Sequence, residues 1–205
     1  KDKDISAIIM EVERDVRPNI NYLKQIRRLC DKFNTCLIFD ECTTGFRENF
    51  GGLHLKYKIN PDICILGKAL GNGYPINAVI GTKQVMEKAE NSFISSTFWS
   101  DRIGPAAALK TLEIMKKERS WIRLKKLGDY FKKRFRLILN KHNIDGDIIG
   151  NGSLLQLKLK NINDVDLKKY LATEMLKKNI LASNVIYLSL AHNEKLLEKY
   201  FYQLD

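Results

Sequence analysis

Long apolar runs are missing from this sequence of 205 residues. No run approaches the roughly 20 consecutive apolar residues that a bilayer-spanning helix needs, and the first residues show no signal-peptide pattern. Internal repeats and low-complexity segments are missing as well. With 44% apolar and 29% charged residues, the composition is that of an ordinary soluble globular protein. The length is sufficient for a large buried core.

Cysteine and histidine are scarce, with four and three copies. Cys30, Cys36, Cys42 and Cys64 lack the Cys-x-x-Cys spacing of metal sites and lie in or beside apolar segments. They are therefore predicted to be reduced core thiols of a cytoplasmic protein. His54, like the other two histidines, is predicted to lie at the surface or in a turn, and no metal site is predicted.

Acidic residues are fewer than basic ones, 24 against 35, which gives a net charge of +11. A charge of this sign raises the question of nucleic-acid binding. The basic residues, however, are spread over predicted helices and are not interleaved with aromatic residues on a strand platform. The charge is therefore interpreted as background composition. Steep salt-dependent retention on DNA would indicate the alternative.

Strand and helix patterns alternate in the first half of the sequence. Residues 5–11 and 36–41 have the pattern of buried strands, and residues 21–33 carry apolar side chains at helical spacing. A third strand ends at Lys68, and a short fourth one covers residues 77–81. This order predicts a mostly parallel α/β sheet, whose ligands should lie at the carboxyl ends of the strands.

The second half has the pattern of a smaller α+β domain. A composition shift near Glu118 places the predicted boundary between residues 1–118 and 119–205. The predicted helices after residue 100 cover 105–117, 121–141, 164–178 and 194–204, and the predicted strands lie within 147–159 and 180–190.

A single lysine follows the apolar run of the third strand. Lys68 comes directly after Ile63-Cys64-Ile65-Leu66-Gly67, and a glycine-rich turn follows it. A desolvated ammonium is costly, but a lysine amine without its extra proton can attack a carbonyl and hold it as a Schiff base. Another strand ends on Asp40. An acid at one strand end and a lysine at another are typical of a pyridoxal-phosphate site, where the acid faces the pyridine nitrogen and the lysine binds the aldehyde.

Two nucleotide-binding motifs are alternatives for the same lysine and glycines. The phosphate-loop pattern fails because Asp62 occupies the position of its first glycine and Ala69 follows the lysine. The dinucleotide fingerprint fails because Ile76 occupies the position of the third glycine after Gly71 and Gly73. Both alternatives are therefore weak.

The segment around Asp40 and Lys68 resembles the class III pyridoxal-phosphate aminotransferases, above all the branch that contains glutamate-1-semialdehyde aminomutase. The resemblance is carried by these segments: Leu37-Ile38-Phe39-Asp40-Glu41-Cys42-Thr43-Thr44-Gly45-Phe46-Arg47, Pro61-Asp62, Leu66-Gly67-Lys68-Ala69-Leu70-Gly71, Gly73-Tyr74-Pro75, Ala78-Val79-Ile80-Gly81 and Ser96-Thr97-Phe98-Trp99. It becomes weaker towards the end of the chain.

The resemblance implies roles for four residues. Asp40 would bond the pyridine nitrogen, and Lys68 would form the lysine aldimine and then move the proton as general base and acid. Cys42, where the family usually has valine, would pack against one face of the ring. Thr97 would bind the cofactor phosphate of the neighbouring subunit, which implies a homodimer with shared active sites.

The resemblance also implies a fold and a class of activity. The expected fold is the aspartate-aminotransferase type, fold type I, with part of a large α/β domain followed by a small C-terminal α+β domain. Family members are about twice as long, so the chain is expected to be a C-terminal fragment. The expected activity is amino transfer or an intramolecular amino shift on a small molecule.

Several alternatives to this activity stay open. The substrate could be a sugar or another amine, since residues 184–192 contain no arginine to hold an α-carboxylate. Racemisation would use the same lysine. A catalytically incomplete piece with only a structural or interaction role is the alternative of a different class.

Overall fold

The computed structural model describes residues 5–205. Two compact units divide the chain. The first unit contains residues 5–14 together with Pro18–Arg119, and the second contains Asp15–Arg17 together with Ser120–Asp205. Within the described residues, no helix combines the length and the apolar character that crossing a membrane requires.

A four-stranded sheet forms the centre of the first unit. Its strands are β1 (Ala7–Glu11), β2 (Cys36–Asp40), β3 (Ile63–Leu66) and β4 (Ala78–Gly81), and they lie side by side in that order. The first three strands are parallel, whereas β4 is antiparallel to β3. The carboxyl ends of β1, β2 and β3 therefore meet at one edge of the sheet, as the alternation of patterns predicts.

The helices of the first unit cover part of this sheet and its ends. They are α1 (Ile20–Lys32), α2 (His54–Tyr57), α3 (Lys83–Met86) and α4 (Ile103–Glu118), with 3₁₀ turns at Lys68–Leu70 and Glu87–Asn91. The Asn19 side chain caps α1 by accepting a hydrogen bond from the Asn21 N–H at 2.9 Å. Leu23 and Cys30 of α1 are buried in a core with Leu37 and Phe39 of β2.

The second unit packs helices against a three-stranded antiparallel sheet. Its elements are α5 (Ser120–Lys141), β5 (Gly146–Asn151), β6 (Leu154–Leu159), α6 (Asp164–Leu176), β7 (Val185–Tyr187) and α7 (Glu194–Leu204), and the strand order is β5-β6-β7. Phe131 of α5 and Phe201 of α7 lie in its core, with ring centroids 4.8 Å apart. The strand predicted at 180–190 is shorter, Val185–Tyr187, and after its C-terminal end the Ser189 N–H bonds His192 Nδ1 at 3.0 Å in a turn.

Gly128 is a position in the second unit where an added methyl group would meet backbone atoms. A Cβ at Gly128 would lie 1.8 Å from the carbonyl oxygen of Gly152. Gly128→Ala should therefore lower the free energy of unfolding by about 1–3 kcal/mol or more, although alanine is the better helix former. Urea unfolding checks this, with Lys126→Ala on the exposed side of α5 as the control. Stability equal to the parent chain would contradict the packing.

Candidate active site

Asp40 is the last residue of β2 and stands at the edge where the parallel strands end. Its Oδ1 accepts a hydrogen bond from the backbone N–H of Cys42 at 3.0 Å. This local bond turns the chain away from the sheet and fixes the direction of the carboxylate. The side chain is only half-buried, so an acceptor group faces the space beyond the strand.

Lys68 lies two residues beyond the end of β3, as the first residue of a 3₁₀ turn. Its φ of +42° is in the left-handed region, which is uncommon for a side-chain-bearing residue. The Nζ atom donates a hydrogen bond to Thr43 Oγ1 at 2.9 Å. Lys68 is exposed in this chain. The chain leaves β3 at Leu66 and reaches Lys68 after Gly67, so the amine lies just beyond the end of the strand.

Gly67 precedes the lysine and has no side chain, so the side chains of Asn77 and Cys42 can pack against its backbone. An added Cβ there would lie 2.3 Å from Asn77 Oδ1 and 3.2 Å from Cys42 Sγ. Any larger residue at position 67 would push Asn77 or Cys42 aside. The Asn77 amide and the Cys42 thiol therefore border the same small space next to the lysine.

The Cys42 thiol lies close to both candidate groups. Burial raises the pKa of Cys42, hydrogen bonding to Asp40 and the charge of that carboxylate raise it further, and the charge of Lys68 lowers it. The same thiol thus lies near the acid of β2 and the lysine after β3. A raised pKa keeps the sulfur neutral, as a small apolar group rather than a nucleophile.

Thr97 lies in the segment between the 3₁₀ turn Glu87–Asn91 and helix α4, and it is exposed. Its neighbour Ser96 accepts a hydrogen bond from the Phe98 N–H at 3.2 Å. Phe98 and Trp99 beside it are 77% and 71% exposed, so large apolar side chains accompany the threonine at the surface. The role predicted for Thr97 in a neighbouring subunit's site stays a prediction.

Thr43 is a site residue that the sequence reasoning missed. Its hydroxyl is the hydrogen-bond partner of the Lys68 amine across 25 positions of sequence. A threonine in a turn carries no periodic signal. Its place three residues after Asp40, in the turn that leaves the strand, was the only available indication.

A buried polar cluster lies behind the site. Glu41, His54 and Cys64 are all buried, and their ligand-type atoms lie within 4.8 Å of one another. The prediction of a surface or turn position is wrong for His54, which is 8% exposed at the start of α2. Its Nδ1 lies 2.6 Å from Glu41 Oε1, a hydrogen-bond distance.

The chemistry of this cluster is that of a hydrogen-bonded network. Burial, with the charge of Glu41 as the next cause, raises the pKa of Cys64 to about 12. The thiol therefore keeps its proton at neutral pH. Cys64 Sγ lies 3.9 Å from His54 Nδ1, a loose contact within the same cluster.

Comparison with known proteins gives relatives of one family. The sequence model described as "Aminotransferase class-III" matches residues 1–191. Glutamate-1-semialdehyde 2,1-aminomutase of Wigglesworthia glossinidia brevipalpis is 32% identical over 202 residues, which are 90% of this chain and 46% of that protein. The 3-aminobutyryl-CoA aminotransferase of Cloacimonas acidaminovorans is 40% identical over 103 residues, 50% of this chain and 25% of that protein.

Solved structures agree on the fold. The FumI protein of Sphingopyxis sp. MTA144, in its PLP internal aldimine form, matches with a TM-score of 0.91 and 22% identity over 97% of this chain and 50% of that chain. Ornithine aminotransferase of Plasmodium yoelii matches with a TM-score of 0.77 and 25% identity over 97% of this chain and 56% of that chain. The predicted fold type is thereby confirmed.

The matches cover a larger share of this chain than of its curated relatives. The chain spans about half the length of the curated relatives that it matches over most of its own length. The family match, by contrast, covers nearly the whole chain. By this match, and by the identity of its relatives, the chain belongs to the class III aminotransferase family.

Proposed function

We propose that this chain carries the cofactor-binding lysine and the ring-facing acid of a pyridoxal-phosphate-dependent aminotransferase or aminomutase. The observation that carries the proposal is the position of Asp40 and Lys68. Asp40 is the last residue of β2, Lys68 lies two residues beyond the neighbouring parallel strand β3, and both lie near the Cys42 thiol. Ligands of open α/β sheets bind at this edge.

The residues present fit the cofactor. A carboxylate offers about four acceptor positions, so the backbone bond from Cys42 to Asp40 leaves room for a pyridine nitrogen. Lys68 projects an exposed amine that a single threonine hydroxyl orients. Gly67 has no side chain, so Asn77 and the small Cys42 side chain lie directly against the backbone beside Lys68.

Pyridoxal phosphate, when bound, supplies an aldehyde that condenses with amines and a ring that accepts electrons from the substrate. Lys68 would hold the aldehyde and afterwards take and return the proton of the substrate carbon, a role that typically contributes ~10²–10⁴-fold. Asp40 would keep the proton on the ring nitrogen, and Cys42 would pack against the ring. Thr97 would bind the phosphate in the partner's site of a homodimer. The dimer and the cytoplasmic location stay predictions.

Within this class, the names of the relatives favour an amino shift. The first three curated relatives are all named glutamate-1-semialdehyde 2,1-aminomutase, at 28–33% identity. The aminotransferase from Cloacimonas acidaminovorans, with the higher identity over the shorter segment, supports transfer between two molecules as the second candidate. Both activities need the same lysine and the same acid.

The full-length protein loaded with pyridoxal phosphate separates the two candidates. Given glutamate 1-semialdehyde alone, an aminomutase should form the isomer with its amino group on carbon 1 and consume no second substrate. An intermolecular aminotransferase should instead need an amino acceptor, identified from a panel of amines and keto acids. Absence of both reactions and of cofactor absorption would overturn the proposal.

A further inference from the structure

Glu41 is a fully buried carboxylate that the proposed chemistry does not use. It directly follows Asp40, and its exposed fraction is 0%. A buried carboxylate is stable only when several donors satisfy it. The residue therefore needs a role that explains why a carboxyl group is buried behind the site.

Four donors from the following loop converge on this carboxylate. Thr44 Oγ1 and the Leu53 N–H bond Oε2, while the N–H and Nδ1 of His54 lie 2.9 and 2.6 Å from Oε1. His54 Nδ1 donates this bond when it carries the ring proton, with the Glu41 carboxylate as acceptor. The loop from residue 42 to residue 53 is thus held by hydrogen bonds to the side chain of Glu41, the residue that precedes it.

The same loop carries the groups that face the candidate site. The Cys42 N–H bonds the Asp40 carboxylate at 3.0 Å, and Thr43 Oγ1 bonds the Lys68 amine at 2.9 Å. The Glu41 backbone N–H is itself fixed to the Ile65 carbonyl of β3 at 2.9 Å. Residues 40, 42 and 43 therefore contact the candidate site, whereas residue 41 points inwards and anchors them.

We propose that Glu41 and His54 are positioning residues, whose hydrogen bond holds the loop so that Asp40 and Thr43 keep their places beside Lys68. The inference rests on the proposed function, because the quantity that it governs is cofactor binding. Neither residue contacts the reacting atoms. They act on the site through the loop, just as residues that hydrogen-bond to the ligands of a metal ion orient those ligands.

Two replacements of His54 isolate the hydrogen bond. In His54→Asn the amide nitrogen takes the place of Nδ1 and can still donate to Glu41, whereas His54→Leu keeps apolar volume and removes the donor. Cys64→Ala is the matched control: it removes the loose 3.9 Å contact between Cys64 Sγ and His54 Nδ1 but none of the four bonds to Glu41. Thr44→Val removes a different donor to the same carboxylate with little change of shape.

The test uses the full-length protein without cofactor, titrated with pyridoxal phosphate, together with its apo melting temperature. His54→Leu and Thr44→Val should weaken the affinity about tenfold, His54→Asn should stay close to the parent, and Cys64→Ala should lower only the melting temperature. A lower melting temperature with parental affinity in His54→Leu and Thr44→Val would overturn the positioning role. Equal losses in His54→Asn and His54→Leu would also overturn it. A parent protein that binds no cofactor would overturn the proposed function itself.

Discussion

Lys68→Ala should abolish covalent cofactor binding and lower the rate of amino transfer by at least ~10²–10⁴-fold, the usual contribution of a positioned general base. Alanine leaves no amine to hold the aldehyde and no group to move the proton. Lys68→Arg should be as inactive, because a guanidinium keeps its charge and cannot act as the nucleophile. The measurement is the absorption of the bound cofactor together with the single-turnover rate in the full-length protein.

Lys83→Ala is the matched control for this loss. Lys83 lies in the same unit at the start of α3, and its side chain is 88% exposed. It should therefore behave as the parent in both measurements. If Lys68→Ala kept the parental absorption and a rate within a few-fold of the parent, the lysine would have no part in the chemistry.

Asp40→Asn should lower the single-turnover rate by about 10²–10³-fold, the cost of losing one preorganised electrostatic group at the reacting centre. Asparagine keeps an oxygen that can accept the Cys42 N–H bond, so the turn after β2 survives. What disappears is the negative charge that would hold the proton on the ring nitrogen. The decrease in the single-turnover rate therefore reports the removal of the negative charge and not a change of the fold.

Asp31→Asn is the matched control for the loss of the carboxylate charge in Asp40→Asn. Asp31 is an exposed partner of Arg27 on α1, away from the edge where the strands end. Its replacement should leave the rate unchanged, because its side chain, 65% exposed, lies outside the candidate site. A rate for Asp40→Asn within a few-fold of the parent would show that the acid does not support the reaction.

The sheet of the first unit was predictable where the spacing of apolar residues is regular. Buried strands ending on Asp40 and shortly before Lys68 have apolar runs of the right length, and a parallel arrangement brings their ends together. Strand β1 begins at Ala7, two residues after the predicted start, which is the usual uncertainty of such boundaries. The sheet therefore follows from the spacing of apolar residues.

The contacts behind the site were not predictable from the same patterns. Glu41 and His54 are 13 residues apart across an irregular loop, and α2 has only four residues, too few for helical periodicity. The left-handed conformation of Lys68 and the close packing of Gly67 against Asn77 and Cys42 likewise have no signal in the spacing of apolar residues. These features depend on tertiary contacts, which a local pattern does not contain.

Reduction of the cofactor-loaded full-length protein with borohydride, followed by peptide mapping, tests the central claim most directly. Borohydride makes the bond between a lysine amine and the cofactor aldehyde permanent, so the labelled peptide identifies the lysine. The expected result is one labelled peptide, which contains Lys68. A label on another lysine, or no label on a protein that binds the cofactor, would contradict the assignment of this strand end as the active site.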